Sequence, residues 1–94
     1  MMSQIPVDFA KVKKEDLDKE ILRAAIIAEL DAINLYEQMA ALTGNADIRT
    51  VLLDIAKEEK THVGEFQTML LRLDAEQVQE MEHGKKEVAE LTGR

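Results

Sequence analysis

The stretch IRTVLLDIAKEEKTHVGEFQTMLLRL, residues 48–73, decides the fold. Its apolar positions are Ile48, Leu52, Ile55, Phe66, Met69 and Leu73, and Glu59 and His62 complete the series. The steps alternate four and three, which is the period of one face of a continuous helix. Two members of that face are a carboxylate and an imidazole. An unpaired carboxylate on a buried face costs several kcal/mol, so a compensating partner is expected. A cation is one candidate, because residues three apart project the same way from adjacent turns.

A matching pattern lies upstream. Leu22, Ala25, Glu29, Ala32, Tyr36 and Met39 repeat at three and four, widened by Ile26, Ile33 and Ala40. One carboxylate, Glu29, again interrupts an apolar stripe. Acidic residues Glu15, Asp16 and Asp18 favour a helix start near Glu15 through the helix dipole. A first helix is therefore expected over 15–42 and a second over 46–73. Gly44 is expected as a left-handed stop and Asn45 as the next cap. So short a turn makes the two helices antiparallel. Asp74 with Gln77 resembles a capping box and opens a short third segment. That segment covers 75–92, carries Val78, Met81, Val88 and Leu91, and is expected to break at Gly84. Residues 1–14 contain Pro6 and no clean period, and read as a flexible arm in which Val7 and Phe9 are the apolar points. The class is all-α, in a single small domain over 1–94.

Two long helices with little else leave an apolar face open, so oligomerisation is expected. Twelve basic residues stand against nineteen acidic ones, a net charge of −7. That balance argues against nucleic acid and anionic membrane partners and favours cations. The absence of cysteine excludes disulfides, thiolate zinc sites and rubredoxin-type centres, and fits a reducing compartment. No basic-then-apolar leader and no run of about 20 apolar residues is present, so neither a secretory signal nor a membrane span is expected.

Counting outward from Asn45 gives a stronger result. Glu29 lies 16 residues before it, and Glu59 and His62 lie 14 and 17 after it. In an antiparallel hairpin this mismatch is roughly 1–3 Å at 1.5 Å per residue. Glu29, Glu59 and His62 should therefore meet at one level. Three ligands are half of the di-iron carboxylate pattern, in which two helices give a Glu and two give Glu-x-x-His. Two copies about a two-fold axis would supply the whole set and cover the open face. Their four carboxylates balance two divalent ions. Mixed carboxylate and imidazole ligation suits iron, manganese or zinc. Tyr36 follows Glu29 on the same face, either as an ordinary core tyrosine or as a group serving the site. His83 reads as a surface histidine.

Ile27-Ala28-Glu29-Leu30-Asp31-Ala32-Ile33-Asn34-Leu35-Tyr36-Glu37-Gln38, followed by Glu58-Glu59-Lys60-Thr61-His62-Val63-Gly64-Glu65-Phe66, resembles the encapsulated ferritin family over about residues 16–92. The resemblance implies a half-ferritin whose dimer rebuilds a ferritin-like four-helix bundle. It implies Glu29, Glu59 and His62 as ferroxidase ligands from both subunits, with Tyr36 near the di-iron centre. It also implies an assembly such as a decameric ring, and an encapsulin shell protein as partner. The location implied is cytoplasmic, within an encapsulin nanocompartment. Asp31 matches one acid of a secondary metal site found in some members, but Ala28 stands where its companion acid would be, and Leu35 replaces an aromatic. Cargo members usually carry a C-terminal targeting peptide. Glu90-Leu91-Thr92-Gly93-Arg94 shows no such tail, which leaves open a trimmed tail, a continuation into a shell domain, or a member that is not cargo.

The expected activity is oxidation of iron(II) to iron(III) by oxygen, for storage and detoxification. The alternatives are a rubrerythrin-like di-iron peroxidase, or a non-catalytic helical module in which the Glu and His side chains set register across a dimer.

Overall fold

The computed structural model describes residues 8–94, and the described residues are helical with no strand. Helix α1 spans Leu17–Leu42, α2 spans Ala46–Leu73 and α3 spans Ala75–Thr92. The expected arm is only partly covered, since Val7 and the residues before it lie outside the described residues. From Asp8 onward, extended backbone at Asp8, Val12 and Lys13 alternates with short turns. Two 3-10 turns, Phe9–Lys11 and Lys14–Asp16, lead into α1, which begins at Leu17 rather than Glu15. The Asp8 side chain accepts from Ala10 N–H and fixes the first turn.

The hairpin turn is held by side chains. Thr43 leaves the helix in an extended conformation, so α1 has already ended before Gly44. Gly44 therefore does not take the left-handed conformation expected of it, which only Gly93 adopts among the described residues. Asn45 accepts from the Asp47 and Ile48 amides and caps α2. Arg49 donates from Nε to the Ala40 carbonyl at 3.1 Å and from Nη2 to the Thr43 carbonyl at 2.7 Å. One guanidinium thus satisfies carbonyls that the end of α1 leaves without helical partners.

The stripe of α2 divides in two. Leu52, Glu59 and Phe66 are half-buried, while Ile48, His62 and Met69 are exposed. The deepest positions are Ala56 and Leu70, which the stripe omits. On α1 they are Ala32, Ile33 and Ala40. A helix shows one neighbour only part of its circumference, and the seam against α1 runs through 52, 56, 59, 63, 66 and 70. The apolar stripe is broader than that seam. Its other edge faces outward with an apolar groove along Ile48, Val51 and Leu52.

Helix α3 stands away from the hairpin. The molecule measures 46 × 43 × 20 Å. A hairpin with a 28-residue longer arm accounts for one dimension of about 42 Å and a width near 20 Å. The second long dimension belongs to α3, which runs unbroken through Gly84 to the left-handed Gly93. A glycine inside a helix costs only about 1 kcal/mol relative to alanine, too little to break it.

Only Asp74 separates α2 from α3. Its carboxylate caps α3 by accepting from Gln77 N–H at 3.0 Å and accepts from Arg23 Nη2 of α1 at 2.9 Å. The amide of Gln77 does most to hold its carboxyl below the usual range; burial opposes this, and Arg23 and Lys19 add to it. A depressed folded pKa gives stability that is full above the unfolded value of 3.8 and is lost as pH falls through the folded one. Asp74→Asn, which keeps a capping oxygen, is expected to melt below the parent chain at pH 7. The gap should close below about pH 4. A gap that does not narrow as pH falls below 3.8 would assign the loss to the cap instead.

Candidate metal centre

Glu29 sits near the middle of α1, and Glu59 and His62 sit on successive turns of α2. The hairpin brings all three together, with one ligand atom from each lying within 4.8 Å of the others. His62 Nδ1 is 3.2 Å from Glu29 Oε2 and 3.5 Å from Glu59 Oε2. One ring nitrogen therefore faces two carboxylates. Either it carries a hydrogen that satisfies them, or the nitrogen and both oxygens converge on one cation.

Exposure separates the three. The carboxylate side chains are 21% and 19% exposed, whereas His62 is 46% exposed. The ligands open onto the outward edge of the α2 stripe, beside the apolar residues that α1 does not cover. Nearby cations are engaged elsewhere: Lys60 pairs with Glu37 at 2.9 Å and Arg23 with Asp74. No lysine or arginine bonds to either triad carboxylate among the described residues.

The other expected site residues lie apart. Tyr36 is half-buried two helical turns from Glu29, about 10 Å along the axis, and no hydrogen bond joins it to the triad. Asp31 is two residues from Glu29, about 200° round the helix, and is not one of the converging groups. His83 is exposed on α3, 3.3 Å from Glu80 and 3.9 Å from Glu87. No helix is long and apolar enough to cross a membrane among the described residues.

The rubrerythrin family model matches residues 20–93, which hold all three helices almost entirely and every ligand of the triad. A crystal structure of the encapsulated ferritin domain from Pyrococcus furiosus superposes with a TM-score of 0.84 at 57% identity, covering 96% of this chain and 90% of that one. The chain belongs to the rubrerythrin family, in its encapsulated ferritin branch. This encapsulated ferritin chain is also 64% identical over 80 residues to a ferritin-like–encapsulin shell fusion protein of Pyrococcus furiosus, covering 85% of the chain and 23% of the relative. It is 39% identical over 69 residues to the encapsulin nanocompartment cargo protein EncC of Myxococcus xanthus, covering 70% of the chain and 53% of the relative. The chain thus spans about a quarter to a half of the length of these two relatives.

Proposed function

We propose that two copies of this chain form a ferroxidase site that oxidises iron(II) with oxygen, inside an encapsulin compartment. The observation that carries the reading is the open half-site: three ligands at one level, with the imidazole half-exposed on an uncovered apolar edge. A two-fold axis through that edge doubles the set to four carboxylates and two imidazoles. This is the donor count of a di-iron carboxylate centre. Four carboxylates offset two iron(II) ions, so loading adds no net buried charge.

Iron is the substrate. Iron(II) held by these residues would supply the electrons that oxygen accepts. Glu29, Glu59 and His62 of each copy would hold the iron, with Glu59 available to both metal positions. Their negative charge favours the higher oxidation state. Manganese and zinc suit the same donors, although zinc would bind without redox chemistry. Tyr36 does not reach the triad within one chain, so a role for it at the site would have to act across the proposed two-copy interface. Asp31 is proposed as a secondary cation contact on the other side of α1.

The names of the two relatives support the compartment, since one is a shell fusion and the other a nanocompartment cargo protein. The rubrerythrin match supports a second reading, a di-iron peroxidase. The test compares oxygen with hydrogen peroxide as oxidant while iron(II) consumption is followed. Faster turnover with oxygen supports the ferroxidase. A strong preference for peroxide overturns it in favour of the second reading. Anomalous scattering at the iron edge should show two ions beside Glu29, Glu59 and His62. A protein that takes up no metal, and whose melting temperature a chelator does not change, would be the non-catalytic module.

A further inference from the structure

The most buried residue among those described is Ala56 of α2, at 1% exposure, and Ala32 on the facing helix is buried as well. Counted from Asn45, Ala32 lies 13 residues before and Ala56 lies 11 after. The two alanines therefore stand within about 3 Å of one level in the seam between α1 and α2. The same count puts each about one helical turn from the triad. Ala32 is three residues after Glu29, and Ala56 is three before Glu59. Stability alone does not account for them. A methyl removes far less apolar surface from water than a leucine does, and only five apolar residues are buried among the described ones. Alanine at the best-covered position of so thin a core needs another reason.

Helix spacing supplies one. Packed helices have axes about 8–10 Å apart, according to the size of the side chains at the contact. Small residues on both sides bring the axes to the near end of that range. The triad depends on this distance, because Glu29 reaches from α1 while Glu59 and His62 reach from α2. His62 Nδ1 and Glu29 Oε2 are 3.2 Å apart. Oxygen and nitrogen donors sit about 2.0–2.2 Å from a zinc-sized divalent ion, so two donors sharing an ion are at most about 4.3 Å apart. The hairpin therefore has about 1 Å to spare. Larger side chains at the contact would part the axes by up to about 2 Å.

We infer that Ala32 and Ala56 are positioning residues of the metal centre, setting the separation of α1 and α2 at which Glu29 meets Glu59 and His62. Neither alanine has an atom that could bind an ion. The inference rests on the reading of the triad as a metal site, and is independent of which oxidant that site uses. Ala40 provides a comparison within the same seam. It is 2% exposed, but lies 11 residues from Glu29, about 16 Å along the axis. Crowding there strains the same helix pair away from the level of the triad.

The test titrates the intact chain and its variants with cobalt(II) in the absence of oxygen, since cobalt absorption reports the number and arrangement of donors. Ala56→Ser is expected to weaken binding several-fold. Ala56→Val and Ala32→Val are expected to weaken it by at least about tenfold, with an altered cobalt spectrum. Ala40→Ser and Ala40→Val should keep the parent's affinity and spectrum, even with melting temperatures lowered as far as those of the position 56 variants. Circular dichroism establishes that each variant is helical at the titration temperature. If Ala56→Val is not, the comparison of Ala56→Ser with Ala40→Ser decides. A parent that binds no cobalt(II) overturns the metal centre, and this inference with it. A parent that binds, with position 56 no more sensitive than position 40, overturns the inference alone.

Discussion

Glu59→Ala will lower iron-dependent oxygen uptake by more than about 100-fold, given that changes to groups merely supporting a metal ligand already cost 10–100-fold. The effect is large because one substitution acts twice. In a site shared by two copies, each Glu59 lost is lost from both sides, so four carboxylates become two. The balance against two divalent ions then fails, leaving buried positive charge. Folding can be separated from function in the same experiment. Without metal, Glu29 and Glu59 are like charges sharing one imidazole, 3.2 and 3.5 Å from its Nδ1. Removing one relieves that repulsion, so the metal-free variant should melt no lower than the metal-free parent. Iron should raise the melting temperature of the parent and not of the variant. Oxygen uptake retained within tenfold would show that Glu59 is not a ligand.

Leu70→Ala is expected to lower unfolding free energy by about 2–5 kcal/mol at fixed protein concentration, the range for truncating a buried leucine. Small domains have only about 5–15 kcal/mol in total. Leu70 is one of five buried apolar residues among the described ones, and three of the others are alanines. There is little further core to absorb the cavity. Urea denaturation should show an earlier midpoint with an unchanged slope. A loss below 1 kcal/mol would mean that the site collapses around the smaller side chain.

Much of the site was legible in the residues because hairpin arithmetic is rigid. A short turn, a fixed rise and a 3–4 stripe place Glu29 level with Glu59 and His62 without knowledge of any contact. Helix starts at Asn45 and Asp74 were legible for a similar reason: a side-chain oxygen followed by helix formers has few other uses. Gly44 and Gly84 misled because glycine permits a break without imposing one. Thr43 ended α1 first, and α3 passed through Gly84 at a cost its other residues could bear. The split of the α2 stripe was hidden, since periodicity reports which face is apolar and not how many neighbours share it. Ala56 and Leu70 fell outside the pattern for that reason. The Arg23–Asp74 pair was also invisible, because it depends on where the end of α2 meets α1, 51 residues away in the chain.

The outward apolar edge beside His62 makes abundance a control variable. In the proposed two-copy site, scarcity separates the copies by mass action, and each then bears both an open apolar surface and half a set of ligands. Apparent stability and catalytic competence should therefore rise together with concentration, by the same association constant. A cell expressing this chain at low level would hold little oxidising capacity per molecule, and confinement in a small volume would raise it with no change in sequence.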